Sequence, residues 1–165
     1  MAQDFSFDVV SKVSLQGVED AINTALKEIS TRFDFKGSPA TIEFDKKTAE
    51  MTLVAESEGR LAALADLLKG RLIKRGVPLK NFSFEASQEA GGGLLRQKVK
   101  VTQGIPTEKC KTIAATIKAS GKKATPSIQG DHLRVVSRSK DELQTVMTIL
   151  RGQDYGLDLQ FENYR

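Results

Sequence analysis

The order of predicted elements repeats along this chain, and each half predicts strand, helix, strand, strand, helix and strand. Strands are predicted where apolar and polar residues alternate, and helices where apolar residues recur every three or four positions. The predicted strands of the first half are 5–12, 41–45, 50–55 and 81–85, and those of the second half are 96–102, 127–129, 133–136 and 158–162. A repeated order of this kind is typical of a duplicated unit.

Sequence likeness between the halves favours the same interpretation. Residues 53–72 align with residues 134–153 around the second helix of each half. The pattern predicts an α+β fold, a tandem duplication of a ferredoxin-like (RRM-like) βαββαβ domain, with four-stranded antiparallel sheets and helices on one face. The segment Ala-Gly-Gly-Gly at 90–93 is interpreted as a linker or hairpin loop. We therefore place the domains at 1–90 and 91–165, with a strand exchange between them left open.

The net charge of +4 is divided unevenly by this boundary. Residues 1–90 contain 12 basic and 14 acidic residues, whereas residues 91–165 contain 13 and 7. A basic half indicates an anionic partner, such as a nucleotide or nucleic acid. The alternative is that the acidic and basic halves attract each other.

Strand alternation predicts which residues lie on the open side of each sheet, away from the helices. The open face of the first half is predicted to be polar and acidic: Ser6, Asp8, Thr41, Glu43, Glu50, Thr52, Ser83 and Glu85. That of the second half is predicted to be polar and basic: Arg96, Lys98, Lys100, Ser127, Gln129, His132, Arg134 and Gln160. The phenylalanines fall on the helix side, so phosphate contacts are favoured over base stacking on the sheets.

Ten residues are predicted to bind a nucleotide. Three cations alternate along one strand about 7 Å apart, close to the phosphate spacing of a nucleic-acid strand. The segment STRFDFKG, residues 30–37, combines aromatic residues for stacking with cations for phosphates. The candidates are Arg32, Phe33, Asp34, Phe35, Lys36, Arg96, Lys98, Lys100, His132 and Arg134. The alternative for the segment is that Phe33 and Phe35 close the core while Arg32 and Asp34 pair at the surface.

One four-residue pattern adds a weaker indication. Arg138-Ser-Lys-Asp141 has the form R-x-x-D that occurs in some cyclic dinucleotide sites. Solvated helix ends commonly contain the same residue types, so a four-residue pattern is very weak evidence for a ligand.

Several classes of chemistry receive no support from the sequence. One cysteine, Cys110, forms no internal disulfide, and one histidine, His132, leaves too few ligands for a structural Cys/His zinc site. No phosphate-binding P-loop motif occurs, and no nucleophile-base arrangement is indicated. We expect no enzymatic activity, metal or cofactor. No apolar run could span a membrane and no signal peptide is visible, so we expect a cytoplasmic protein without membrane partners.

Five segments together resemble the YajQ family of small bacterial proteins. They are STRFDFKG (30–37), LIKRG (72–76), IQGDHLRV (128–135), DELQTVMTILRG (141–152) and LQFENYR (159–165). The resemblance implies two tandem domains similar to RNA-binding modules, in which a strand may be exchanged. It also implies a nucleotide-binding protein without known enzyme activity. Some members are described as cyclic di-GMP receptors that act on transcription regulators, and others are associated with RNA or nucleotides.

The residues and the resemblance together lead to one functional expectation. We expect a non-catalytic regulatory protein that binds cyclic di-GMP, a GTP-like nucleotide or RNA, with a transcription regulator as a further partner. The alternative is a protein-interaction adaptor of transcription regulators that has no nucleotide ligand of its own.

Overall fold

The computed structural model describes residues 4–165 and contains eight strands and four helices in that part of the chain. In chain order they are β1 Phe5–Val10, α1 Leu15–Thr31, β2 Thr41–Asp45, β3 Glu50–Ala55, α2 Glu58–Lys74, β4 Phe82–Gly91, β5 Leu94–Val101, α3 Thr107–Ala119, β6 Thr125–Gln129, β7 His132–Ser137, α4 Lys140–Arg151 and β8 Gln160–Glu162. Short 3₁₀ turns occupy Phe33–Phe35 and Leu79–Asn81.

The chain forms two compact units, and one of them is interrupted by the other. Residues Val13–Thr102 form what we call the inserted unit, and Met1–Lys12 together with Gln103–Arg165 form the split unit. The split unit has the strand order β6-β7-β1-β8, and the inserted unit has the order β2-β3-β5-β4. Each sheet is antiparallel and shares a core with two helices, so the predicted tandem ferredoxin-like fold is confirmed.

The two units do not follow a boundary at 90/91. Gly92 and Gly93 both have positive φ and join β4 to β5 as a two-residue hairpin turn, in which Gly91 faces Leu94. Such a turn needs positive φ at both central positions, which glycine adopts readily. The glycine segment is therefore a hairpin loop within the inserted unit. β5 lies between β3 and β4, while β1 lies between β7 and β8 of the split unit.

This connectivity corrects the predicted separation of charge. The split unit contains 11 basic and 9 acidic residues and the inserted unit 14 and 12, so each has a net charge of +2. The cations of β5 share a sheet with Glu50 and Glu85, and Asp8 faces Arg134 across β1 and β7. The prediction of one acidic and one basic open face is wrong, because β1 and β5 each join the sheet of the other half.

Strand alternation correctly predicted most of the core. Phe7, Leu53, Val99, Leu133 and Val135 are buried against the helices. Three helices are preceded by an N-cap serine whose hydroxyl accepts a backbone N–H hydrogen bond: Ser14, Ser57 and Ser139. No helix in the described range is long and apolar enough to cross a membrane.

Two apolar residues whose spacing in the sequence fits an inward position lie at the surface instead. Ile128 is exposed on β6, an edge strand of the split unit, where fewer neighbours cover it. Phe33 is exposed because α1 ends at Thr31, so the helical spacing that would turn Phe33 toward the core is interrupted.

Candidate functional site

The structure distributes the ten predicted ligand-binding residues over three places. Five lie in the turn that follows α1, and three lie on the open face of β5, both in the inserted unit. His132 and Arg134 lie on β7 of the split unit. We describe the surfaces of the two units separately.

The turn after α1 is organised around the buried ring of Phe35. The Arg32 guanidinium donates two hydrogen bonds to the Asp34 carboxylate, from Nε to Oδ1 at 2.9 Å and from Nη2 to Oδ2 at 2.7 Å. Arg32 and Arg60 also lie over the Phe35 ring, with their guanidinium carbons 5.2 and 5.4 Å from its centroid. The hydrogen bonds from Arg32 hold the pKa of Asp34 below its ordinary value.

Two side chains of this turn remain available for other contacts. Phe33 is 91% exposed, and the exposed Lys36 has no ion pair within the described part of the chain. Arg32, Asp34 and Phe35 thus have structural contacts with one another, whereas Phe33 presents an uncovered aromatic ring. An exposed ring beside cations can stack on a base or insert into an apolar pocket of a partner.

The three cations of β5 are partly neutralised by their own sheet. Lys98 Nζ lies 3.5 Å from Glu50 Oε1, and Lys100 Nζ lies 3.4 Å from Glu85 Oε1. Arg96 faces Val54 and Gln88 across the neighbouring strands and has no ion pair among residues 4–165. Solvent-exposed ion pairs are worth only about 0–1 kcal/mol, so a phosphate could displace them. The attraction for an anion is nevertheless weaker than three free cations would produce.

Arg134 occupies the most highly organised of the three places. Its Nε donates a hydrogen bond to Asp8 Oδ1 at 3.0 Å, and Asn163 Nδ2 donates to Asp8 Oδ2 at 2.8 Å. Asp8 is only 4% exposed, although it lies on the open face of β1. Burial alone would raise the pKa of Asp8, but the hydrogen bonds from Arg134 and Asn163 and the guanidinium charge outweigh it. The pKa of Asp8 therefore lies below its ordinary value.

A backbone irregularity brings Asn163 to this position. Glu162 is paired with Asp8, whereas the N–H and C=O groups of Arg165 bond to those of Ser6 at 2.9 and 3.1 Å. From Glu162 to Arg165 the chain advances by three residues, whereas the paired strand β1 advances by two, from Asp8 to Ser6. Asn163 is therefore the extra residue of a β-bulge. Its φ of +54° lies in the left-handed region, which asparagine tolerates better than most residues.

Polar residues surround Arg134 on what we call the open face of the split unit. Ser127 and Asp8 lie directly opposite it on β6 and β1. Two residues along β7, His132 is within 3.3 Å of Asp131, measured from Nδ1 to Oδ1. Beside His132 is a cleft of about 220 Å³ whose polar lining includes Asp8, Lys12, Gln103, Asp131, His132, Glu162 and Asn163.

Comparison with known proteins establishes the family of the chain. A family model described as "Nucleotide-binding protein YajQ-like" matches residues 5–165. The chain belongs to the YajQ family. Relatives include a "Nucleotide-binding protein" of Elusimicrobium minutum (strain Pei191), 49% identical over 98% of this chain and 99% of that protein. Another, from Carboxydothermus hydrogenoformans, is 46% identical over the full length of both chains. The resemblance inferred from the sequence is confirmed.

The sequence did not identify Asp8 and Asn163 as part of the candidate site of this YajQ-family protein. Alternation correctly placed Asp8 on an open face, but its partner Arg134 is 126 residues away along the chain. Asn163 is 155 residues from Asp8 and enters the site through a bulge. The motif LQFENYR contains Asn163, so the family resemblance was the one signal that included it.

Proposed function

We propose that this YajQ-family protein is a non-catalytic, nucleotide-binding regulatory protein whose ligand contacts Arg134 on the open face of the split unit. The ligand classes are cyclic di-GMP, a GTP-like nucleotide or RNA. The names of the relatives, nucleotide-binding proteins across several bacteria, support the general activity. The observation that carries the choice of site is the hydrogen bond between Arg134 and the buried Asp8.

The hydrogen bond to Asp8 fixes the guanidinium before any ligand arrives. Arg134 uses only its Nε–H toward Asp8, and its side chain is 46% exposed. The N–H groups on its two Nη atoms have no partner among the described residues. A guanidinium presents such donors in a planar fork that matches two oxygens of a phosphate or the O6 and N7 acceptors of guanine. Because the side chain is already oriented, binding costs less conformational entropy.

The described residues of the split unit include neither a reactive thiol nor a cluster of metal-ligating side chains. Cys110 is buried, and this burial, together with the charge of Asp131, raises the pKa of its thiol. A thiol with a raised pKa is a poor nucleophile at neutral pH. No group of residues within 4–165 has the composition and spacing of a metal site.

The inserted unit offers a second surface on which a nucleotide ligand could bind. Phe33 could stack on a base while Lys36 contacts a phosphate, and Arg96, Lys98 and Lys100 could contact further phosphates. These residues retain the roles that the sequence predicted for them. Arg32 and Arg60 lie over the Phe35 ring in the same turn, where the Phe33 ring is exposed.

Titration calorimetry tests the Arg134 site. The full chain is titrated with cyclic di-GMP, GTP and a short single-stranded RNA at about 150 mM salt. Replacing Arg134 by Lys keeps the charge but removes the fork, and we expect it to weaken binding of the preferred ligand about tenfold or more. The matched control is Lys111→Arg, an equally conservative change at an exposed position of α3. Unchanged affinity in Arg134→Lys, with the fold retained, would refute the site.

The exposed ring of Phe33 favours one alternative, an adaptor for a transcription regulator. Exposed aromatic residues are frequent anchors of protein interfaces. In that case no nucleotide binds at physiological salt, and Phe33→Ala abolishes co-purification with the regulator. Micromolar binding of any of the three nucleotide ligands decides against the adaptor.

A further inference from the structure

A basic groove lies at the end of β7 in the split unit, beyond Arg134. It has a volume of about 500 Å³ and is lined by Asp4, Lys122, Lys123, Ala124, Thr125, Val136, Ser137, Arg138 and Ser139. Lys122 and Lys123 have no ion pair among residues 4–165, and the nearest carboxylate to Arg138 is Asp4, 4.0 Å from its Nε. Three cations thus border the groove with one acidic residue. Asp141 and Glu142, in the first turn of α4, do not line it.

The loop that carries the lysines is fixed to the strand that leads to the arginine. The hydroxyl of Ser137, which is buried, donates a hydrogen bond of 2.6 Å to the backbone carbonyl of Lys123. Arg138 follows Ser137 directly and is 83% exposed. Like charges held together by the fold repel each other, and a bound anion relieves that repulsion.

The groove is continuous with the open face around Arg134. Thr125 and Val136 line the groove and are paired with each other, two residue pairs along the sheet from Ser127 and Arg134. Because strand side chains alternate, the two pairs lie on the same face. At about 3.3 Å per residue, Val136 lies about 7 Å and Arg138 about 13 Å along the chain from Arg134. That distance exceeds one phosphate step of an extended nucleic-acid strand and approaches two.

We infer that the groove formed by Lys122, Lys123 and Arg138 is a second phosphate subsite, occupied by a single-stranded oligonucleotide that runs along β7 from Arg134. This inference rests on the proposed function, because it takes Arg134 as the first contact. A mononucleotide bound at Arg134 through its only phosphate does not reach Arg138. The open-face positions of β1, β6 and β7 carry no Phe, Tyr or Trp, so binding depends mainly on phosphate charge and little on base identity.

The length of the oligonucleotide provides the test. We would titrate the full chain with di-, tetra- and octauridylate and repeat the tetramer titration at several salt concentrations. The wild type is expected to bind the tetramer at least tenfold more tightly than the dimer. The double variant Lys122→Ala/Lys123→Ala is expected to lose this advantage and bind both lengths alike. Its salt dependence should weaken by about 1.4 in slope, about 0.7 for each lost phosphate contact.

The control is Lys111→Ala/Lys118→Ala, which removes the same charge from exposed positions of α3. It should keep the length dependence, since neither lysine lines the groove. Equal affinity for dimer and tetramer in the wild type would overturn the subsite, as would an unchanged tetramer affinity in the groove variant. If Arg134→Lys still weakens cyclic di-GMP or GTP binding, the proposed function stands and only the subsite fails. If Arg134→Lys has no effect on any ligand, the proposed function fails as well.

Discussion

Replacing Asp8 by asparagine tests whether the buried carboxylate stabilises the split unit. The amide keeps the shape of the side chain but loses its charge and turns one hydrogen-bond acceptor into a donor. Asp8 accepts from Arg134 at 3.0 Å and from Asn163 at 2.8 Å, so one of these donors then faces another donor. Hydrogen bonds to charged groups contribute about 1.5–3 kcal/mol each. Because Arg134 is half exposed and can reach water, we expect a loss of about 2 kcal/mol.

The assay is urea unfolding followed by tyrosine fluorescence. The chain has no tryptophan, and its two tyrosines, Tyr155 and Tyr164, both lie in the split unit, so the signal reports that unit. For a small unit the free energy of unfolding falls by roughly 1 kcal/mol per molar urea. The midpoint of Asp8→Asn should therefore lie about 2 M below that of the wild type. Glu108→Gln, the same chemical change at an exposed position of α3, should stay within about 0.5 kcal/mol.

The pH dependence supplies a second readout of the same variant. Because the folded-state pKa of Asp8 is lowered from 3.8, its contribution to stability is fully present above about pH 4 and is lost as the pH falls through the folded-state pKa. The difference between wild type and Asp8→Asn should be largest near neutral pH and shrink below pH 4. Equal midpoints at pH 7 would refute the reasoning, as would a difference that stays constant down to pH 2.

Two further predictions concern the inserted unit and the cysteine. Phe33→Ala should leave the unfolding free energy within about 0.5 kcal/mol, whereas Phe35→Ala should lower it by about 3–5 kcal/mol, since only Phe35 is buried. Urea unfolding followed by far-ultraviolet circular dichroism checks this, and equal losses would contradict it. The Cys110 thiol, buried and with a raised pKa, should react with a disulfide reagent at pH 8 only after urea is added. Rapid labelling of the native protein would contradict the burial.

The sequence was sufficient to predict the elements and their inward faces because those depend on local periodicity. Leu133 and Val135 alternate with Arg134 and are buried, as a strand with one covered face requires. Phe33 is an exception to this local pattern. Its spacing fits the apolar face of α1, but spacing does not determine the residue at which a helix ends.

Which side chains meet at the candidate site depends on how the strands pair, and sequence periodicity does not specify that pairing. Alternation assigned Asp8 and Arg134 to open faces, but the sheet that each strand joins is determined by contacts distant in sequence. Placing β5 in the second half suggested that Arg96, Lys98 and Lys100 lie on a basic sheet, whereas β5 lies beside the acidic residues of β3 and β4. β1 and β5 were therefore assigned to the wrong sheets, and the predicted charge of each open face was wrong as a result.

The interruption of one unit by the other has a consequence for synthesis on the ribosome. β1 emerges first, yet its neighbours β7 and β8 are made more than 120 residues later. The inserted unit is continuous in sequence and can fold as soon as it has emerged, since domains generally fold as units during translation. Its folding shortens the effective loop between β1 and α3, which lowers the entropy lost when Ser11 and Gly104 come together at their 2.8 Å backbone hydrogen bond. Prior folding of the inserted unit thus makes it less costly in entropy for β1 to pair with strands that are translated last.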